Sequence, residues 1–599
     1  MSSKSWLRRE ILSLRRLAFN VFFYGTHLGL FAYGWYSQYA NERLVALNTL
    51  RYSVWVSRGA ALVLAYDAAL IILPVLRNIL RIIRPTLAWL APMDQSIWFH
   101  RQVAYSMAFW TMVHTTSHYI NFMSIENTRK STFRLPGFGH VFSAHGIIEL
   151  RAELAVQIHY NQAAGITGHF MLFIMLIMYT TAARKVRDQC FEAFWYTHHL
   201  AFFFFLALYS HATGCFVRDT PEPVHTKKFP FYDANHCLGY GSWHFTVGPA
   251  MLYIGERIWR EIRGRKYTKL TKVLVHPSGA LELRMVKPSL KYVPGQWIFL
   301  QVPSVSAYQW HPFSITSAPE DPYVSVTICQ VGDWTRALGD AVSAGPSVVA
   351  ALAAATQPSQ GTKDLERSAF GLPELSDQFY EVVASDESRP ISLPEVRLDG
   401  PYGAPSEDVF KSDLAVLVGA GIGVAPFASI LKHIWYRQRA GRLEKLKHVE
   451  FIWICRDAVS FAWFQSVLTE IEDAQIDPNF LRINMYVTQS IGIDQLYNIA
   501  INDTGSVYDP LTKLRSRTFY GRPDFKSIYS RIRSAVETGA LLGPRESGTA
   551  FNVGTFYCGP SALAKTVKSQ ALACSTSTAT FTFAQVRISI NLNFDKNHY

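Results

Sequence analysis

Histidines recur at defined intervals in two apolar stretches of this chain. The stretch His100–Phe122 holds His100, His114 and His118, and Phe194–His211 holds His198, His199 and His211. Ionisable side chains inside an apolar span are costly, so each is a candidate for chemistry. His100 and His114 are close to four helical turns apart, which puts both on one face at about 21 Å separation. Two planar cofactors stacked across a bilayer need that separation. Neutral imidazole is the usual axial ligand of a haem that passes electrons with both positions filled. His198 and His211 stand about 3.6 turns apart, so a regular helix turns one away from the other. Using both requires a π-type irregularity or a tilted approach. The alternative is that these histidines bond to backbone carbonyls or line a proton path.

A second group of residues suits nucleotide chemistry. Leu414–Val418 reads as a buried strand, Gly419-Ala-Gly-Ile-Gly423 as a tight loop and Pro426–Arg437 as a helix. Val449–Cys455 then closes a βαβ unit. Glycines at that turn let the backbone approach a pyrophosphate at the helix N-terminus. Arg456 stands after the second strand where an acidic residue would select NADH, and a cation there suits the 2′-phosphate of NADPH. The alternative is a surface arginine paired with Asp457. Cys558-Gly-Pro560 follows the strand Gly554–Tyr557, and ligands of open α/β sheets bind at such carboxyl ends. Upstream, His311-Pro-Phe-Ser-Ile-Thr-Ser-Ala-Pro319 and Gly332-Asp-Trp-Thr335 offer hydroxyls and amides for an isoalloxazine ring and its phosphates.

The elements that must position these groups differ between the two halves. Residues 1–266 contain 27 Lys+Arg and 14 Asp+Glu and so carry the whole net charge of +13, whereas the remainder has 31 of each sign. The basic residues sit between apolar stretches rather than on one polar face, which excludes a nucleic-acid-coating surface. Six stretches are expected to span a membrane: Leu17–Tyr36, Val54–Leu76, His100–Phe122, Gly168–Ala183, Phe194–His211 and Phe245–Ile262. Sixteen Lys/Arg flank one side of these spans against nine on the other, so both termini are expected to be cytosolic. Arg58 and Asp67 lie within the second span, too far apart for a direct ion pair. Arg58 falls at outer-leaflet depth, where it could stabilise an anionic product, bond a haem propionate or snorkel. Cys215 and Cys237 share an outer loop where a disulfide is permitted. From Tyr267 the pattern alternates, as in Leu270–His276, Leu281–Met285 and Gln296–Val302, which predicts an antiparallel β-barrel. The Gly/Ala/Ser/Pro-biased stretch 343–394 reads as a surface insertion of little order.

Together these motifs resemble the catalytic subunit of the superoxide-generating NADPH oxidase family over nearly the whole chain. They are Trp98-Phe-His100, His114-Thr-Thr-Ser-His118, Phe194-Trp-Tyr-Thr-His-His199 with His211, His311–Pro319, Gly400-Pro-Tyr-Gly403, Gly419–Pro426, Cys455-Arg-Asp457, Tyr520-Gly-Arg-Pro523 and Cys558-Gly-Pro560. The likeness is closest to fungal members without EF-hands, since no such loop precedes the first span. The resemblance implies a six-helix transmembrane haem domain (1–266), a β-barrel FAD domain (267–405) and an α/β NADPH domain (406–599), the last two ferredoxin reductase-like. It implies two haems b, the inner one ligated by His100 and His198 and the outer by His114 and His211, with Arg58 and His118 flanking the oxygen site. His311, Pro312, Phe313, Ser314, Thr316, Ser317, Trp334 and Thr335 would contact FAD. Gly419, Gly421, Gly423, Pro426, Cys455, Arg456, Arg522, Cys558 and Gly559 would contact NADPH. Tyr599 would be the family's C-terminal aromatic residue beside the flavin, preceded here by extra sequence at Ala584–Asn591. Ala425 stands where the family usually has Thr.

The implied activity passes electrons from cytosolic NADPH through FAD and both haems to O2 on the far side. A transmembrane ferric-chelate reductase is the alternative with the same cofactors. The resemblance also implies a small membrane partner subunit, a cytosolic activator and a Rac-type GTPase, in a plasma, endoplasmic reticulum or vacuolar membrane.

Overall fold

The computed structural model describes residues 14–41, 48, 50–87, 96–132, 147–148, 163–211, 217–218, 243–276, 278–342, 380–383, 393–442, 445–457, 459–473, 479–489, 507–509, 512, 514–543 and 550–586. The chain forms two compact units, Met1–Ile258 and Trp259–Tyr599. Cys215, Cys237, Tyr599 and residues 587–591 lie outside the described residues.

The first unit is helical apart from one short antiparallel pair, β1 (Ile147–Ile148) with β2 (Val217–Arg218). Its long elements are α1 (Leu14–Tyr39), α2 (Tyr52–Leu70), α3 (Arg77–Leu87), α4 (Ser96–Thr132) and α5 (Ala163–Thr181). The shorter α6 (Arg184–Gln189), α7 (Phe191–His198) and α8 (Ala201–His211) follow, then α9 (Trp243–Gly264), which runs on into the second unit. Its polarity is inverted relative to a water-soluble bundle. Phe22, Met112 and Leu176 are exposed, while Ser57, Asp67, Ser106, Ser117 and Asn121 are buried. Apolar groups face outward and polar groups inward, as a lipid surround demands. Among the described residues, Tyr52–Val75 and Ala163–Thr181 are long and apolar enough to cross a membrane on their own. Gly34 and Gly59 let α1 and α2 approach closely, since a Cβ on Gly59 would lie 2.8 Å from the Phe31 carbonyl oxygen.

The second unit begins with antiparallel strands. One sheet has the order β7-β4-β3-β8, from β3 (Lys269–Val275), β4 (Ala280–Val286), β7 (Val324–Cys329) and β8 (Tyr380–Val383). The other has the order β6-β5-β9, from β5 (Trp297–Gln301), β6 (His311–Ser314) and β9 (Arg397–Tyr402). Val273, Leu283, Ile298, Leu300, Ile315 and Val326 share one buried core. The Thr316 amide donates to the Ser325 carbonyl at 2.8 Å, which joins the two sheets at a seam. The ladder is therefore split in two rather than continuous. Tyr380–Val383 corrects the expectation for 343–394, because it pairs with Lys272–Val275 as an edge strand. A short polar-biased sequence conceals a strand when the partner supplies the pairing.

The rest of the unit is an all-parallel sheet in the order β13-β12-β11-β10-β14-β15. Its strands are β10 (Leu414–Ala420), β11 (His448–Cys455), β12 (Leu481–Val487), β13 (Thr518–Tyr520), β14 (Phe551–Cys558) and β15 (Ala579–Gln585). Helices α11 (Ala425–Arg439), α12 (Ala462–Asp473), α13 (Phe525–Glu537) and α14 (Ser561–Ala573) flank it; α10 (Asp333–Ala341) belongs to the antiparallel part. From β10 the chain steps to β11 on one side and returns to β14 on the other. Such a switch point opens a ligand crevice at the carboxyl ends of the strands.

Candidate functional site

Four histidines meet in two pairs. The His100 and His198 ring centres are 6.2 Å apart and those of His114 and His211 are 6.5 Å apart. Two imidazoles bonded to opposite sides of one metal at about 2 Å have ring centres about 6.4 Å apart. The side chains present therefore fit a bis-histidine metal group at each pair. The Nδ1 of His100 donates to the Ile71 carbonyl at 3.1 Å, and that of His114 to the Ser57 carbonyl at 2.9 Å. Ser57 on antiparallel α2 and Ile71 at its C-terminal cap repeat the interval between His100 and His114 on α4. Both rings are thus held in one tautomer with Nε2 free to bind, the arrangement metal-binding histidines use. Backbone bonding and ligation are not rivals here, because each ring has two nitrogens. His211 Nδ1 lies 2.9 Å from the Thr167 hydroxyl, and Gly168 makes room for its ring.

The interrupted helix α7–α8 helps to turn both His198 and His211 inward. The amides of His199, Leu200 and Phe202 bond three residues back, to Tyr196, Thr197 and His199. Each such 3₁₀ step turns the chain about 20° further than an α step. The irregularity is a tightening, where the spacing calls for a π-type widening or a tilted approach. His199 falls on the exposed side with its Nδ1 on the Trp195 carbonyl. His118 lies one turn from His114, with ring centres 4.5 Å apart, and Arg58 directly follows Ser57 on α2, half-buried. Sequence reasoning missed a pair among the described residues of the spans: Asp67 joins His27 of α1 at 2.7 Å, both buried.

In the second unit, His311 stacks on Trp334 with ring centres 4.0 Å apart and planes 27° apart. Burial pushes the His311 imidazole down to about 4, so the ring is neutral at physiological pH. The Trp334 indole N–H has no hydrogen-bond partner among the described residues, which leaves a buried donor for a bound group. Phe313 also packs on Trp334, with ring centres 6.1 Å apart. Thr335 caps α10 by accepting from the Gly332 amide at 2.9 Å. Ser317 accepts from the Ser325 amide, and Thr316 bonds to the Ser325 hydroxyl. Pro312 lies in β6, paired with Phe299. An aromatic wall beside a row of fixed hydroxyls fits an isoalloxazine ring.

The glycine loop after β10 meets Cys558 and Gly559 after β14. A Cβ on Gly423 would lie 2.5 Å from the Cys558 carbonyl oxygen, and one on Gly559 2.7 Å from the Ala420 Cβ. Gly421 has φ +56°, a left-handed conformation that favours glycine, and its carbonyl accepts from the buried Trp453 indole at 3.0 Å. Pro426 stands in the first turn of α11. This cradle fits a dinucleotide pyrophosphate. Burial pushes the Cys558 thiol up to about 12 and the Cys455 thiol up as well, so both are neutral packing groups. Arg456, exposed, and Arg522, exposed, stand at the carboxyl ends of β11 and β13. Asp457 accepts from the Ser460 amide and hydroxyl, and among the described residues no ion pair joins it to Arg456.

Sequence models of three families match the chain: the ferric reductase like transmembrane component over residues 60–209, the FAD-binding domain over 265–406 and the ferric reductase NAD binding domain over 413–572. The chain is 33% identical to a superoxide-generating NADPH oxidase heavy chain of Dictyostelium discoideum, covering 87% of each protein. It is 31% identical to NADPH oxidase 1 of Mus musculus, over 94% of this chain and 91% of that one. NADPH oxidase 3 of Rattus norvegicus is 30% identical over 94% and 95%. The chain belongs to the NADPH oxidase family. It is accordingly an integral membrane oxidoreductase with a ferric-reductase transmembrane component, an FAD-binding domain and an NAD-binding domain.

Within this NADPH oxidase the described candidate residues gather mainly in four places: two histidine pairs, the His311–Trp334 wall and the glycine cradle. Ala425 is the first residue of α11 and buried. The expected extra segment Ala584–Asn591 is corrected at its start. Ala584 and Gln585 pair with Phe556 and Tyr557 in β15, and Val586 is buried in the core. A strand continuing into a polar residue shows no composition break, which is why the sequence misplaced its end.

Proposed function

We propose that this chain oxidises cytosolic NADPH and passes the electrons across the membrane to O2, releasing superoxide on the opposite side. The observation that carries the reading is the pair of histidine sets, with ring centres 6.2 and 6.5 Å apart, about four helical turns from one another. His100 with His198 would hold an inner haem b, and His114 with His211 an outer one. Superoxide formation by the Dictyostelium relative, as its name states, supports oxygen as the acceptor.

When bound, FAD accepts a hydride's two electrons together and releases them singly, which matches the one-electron capacity of haem. The chain's own residues do the positioning. Gly419, Gly421 and Gly423 bring the backbone to the pyrophosphate, and Arg456 with Arg522 meets the 2′-phosphate. The His311–Trp334 wall and Ser314–Ser317 hold the flavin, with Ser429 of α11 tying the two nucleotide sites together by donating to the Ser317 carbonyl at 2.6 Å. Ile71 and Ser57 lock the tautomers of His100 and His114, which keeps their Nε2 atoms on the metal side. Arg58 at the outer pair offers positive charge to an anionic product, with His118 beside His114. Both termini lie on the NADPH side, from the Lys/Arg asymmetry. The small membrane subunit, cytosolic activator and Rac-type GTPase rest on the family likeness.

The ferric-chelate reductase reading keeps one support, the descriptions of the matching transmembrane and NAD-binding families. Parallel assays of superoxide and ferric-chelate reduction on the purified chain test the proposal. Haem absorption with superoxide as the main product upholds it, and chelate reduction without superoxide favours the alternative.

A further inference from the structure

His27 on α1 and Asp67 on α2 form a buried pair that the electron route leaves unused. The His27 Nδ1 lies 2.6 Å from the Phe23 carbonyl oxygen and its Nε2 lies 2.7 Å from Asp67 Oδ1. A carbonyl only accepts, so Nδ1 carries a hydrogen. Two lone pairs do not face each other at 2.7 Å, so a proton also lies between Nε2 and Oδ1, on one atom or the other. The pair therefore holds two protons and is neutral overall, whether written as imidazolium with carboxylate or imidazole with carboxylic acid.

The other carboxyl oxygen is the unusual one. Asp67 Oδ2 is buried without a hydrogen bond of normal length among the described residues, and the Ser106 hydroxyl that faces the carboxyl from α4 acts on it only across a longer gap. An acceptor in that condition costs free energy until a proton or a water reaches it. Among the described residues, the other titratable groups facing the pair are Tyr24 on α1, Tyr66 on α2 and Tyr179 on α5, the last beside Tyr105 of α4. Tyr24 donates to Gln102 and Tyr179 to the Ala104 carbonyl, so neither hydroxyl serves Oδ2. No cation among these groups answers a negative charge arriving nearby.

Depth completes the argument. Asp67 is one turn before Ile71, whose carbonyl holds His100, and ten residues beyond Ser57, whose carbonyl holds His114. Along the helix axis it stands about 6 Å from the first level and about 15 Å from the second. One electron arriving at the His100–His198 pair adds a negative charge in a low-dielectric interior, where it is felt strongly at that distance.

We propose that Asp67 is a proton-binding site coupled to the electron at the His100–His198 pair. One electron arrives from NADPH by way of the flavin, one proton arrives from bulk water at Asp67 Oδ2, and the His27–Asp67 pair goes from two protons to three. Its new positive charge offsets the electron, and the proton leaves when the electron moves on. The only bond formed is the O–H bond on Asp67. This inference rests on the two-haem reading above.

Redox titration of the full-length chain, followed by visible absorption at several pH values, tests it together with redox-difference infrared spectra. The haem that remains in His114→Leu identifies the one at His100. For that haem the reduction equilibrium constant is expected to fall by up to about tenfold per pH unit, with a carboxylic-acid band changing on reduction. Asp67→Asn should keep the haem spectrum while losing both the pH dependence and the band. A wild-type constant that does not move with pH, or a pH dependence that survives in Asp67→Asn, overturns the proposal. Should Asp67→Asn fail to fold, the wild-type slope and band still decide. Wild-type protein with no haem absorption would instead overturn the two-haem reading, which is a different outcome.

Discussion

The rings of His114 and His211 stand 6.5 Å apart although one is on the unbroken α4 and the other ends a helix interrupted at His199 and Leu200. The interruption aims His211 at its partner, and Gly168 of α5 leaves the space for it. His211→Leu should therefore lose the haem of that pair and all superoxide. NADPH-dependent flavin reduction should persist, because the nucleotide sites lie in the other unit. Pyridine haemochrome quantitation beside anaerobic flavin bleaching checks this, and full haem content would refute the pairing.

Gly423 faces the Cys558 carbonyl so closely that any side chain there must displace backbone. Gly423→Ala should cost about 1–3 kcal/mol in stability through overpacking. It should also raise KM for NADPH and NADH alike, since both share the pyrophosphate. Thermal unfolding and steady-state kinetics with the two nucleotides measure these effects.

Arg456 serves only one of those nucleotides. A guanidinium binds a 2′-phosphate through charge-assisted hydrogen bonds that a ribose hydroxyl cannot match. Arg456→Ala should raise KM for NADPH by about tenfold and leave KM for NADH and kcat nearly unchanged. The side chain is exposed, so the difference should shrink as salt is added. Equal losses for both nucleotides would mean that Arg456 serves the fold.

The His311 imidazole, pushed down to about 4 by burial, gives the flavin site a pH signature. The unfolded chain protonates a histidine from about pH 6.5 downward, whereas the folded chain resists until about pH 4. The unfolded state thus binds more protons in that window, and the FAD-binding unit should lose stability as pH falls through it. Above about pH 6.5 the effect is absent. His311→Asn should flatten the acid side of a plot of flavin-release temperature against pH, read by flavin fluorescence on the full chain.

A fifth test concerns the end of α9. Arg260 and Arg263 both donate to the buried Asp399, at 2.8 and 2.9 Å through their Nε atoms, and Tyr402 donates to it as well. Burial alone would raise the Asp399 carboxyl, but the two guanidinium groups hold it below the usual range. Asp399→Asn removes the carboxylate that both half-buried guanidinium groups share and should cost about 3–5 kcal/mol, seen as a lower unfolding temperature. Reversal by a second change at Arg260 would mark the loss as electrostatic.

Local pattern determined much of this protein. The interval from His100 to His114 sets a helix face, the glycines after Val418 set a phosphate turn and Arg456 ends its strand, all without reference to distant residues. These readings hold because helix period and turn chemistry act over a few residues. Tertiary structure decided what crosses longer separations. Which of His198 and His199 turns inward depends on a 3₁₀ tightening that no period reveals. Asp67 pairs with His27, forty residues away, rather than with Arg58 on its own helix. Asp399 is claimed by arginines from the end of α9, and Tyr380–Val383 becomes a strand only because β3 offers an open edge. In each case the partner is chosen by packing of whole elements, where desolvation and ladder hydrogen bonds outweigh local preference.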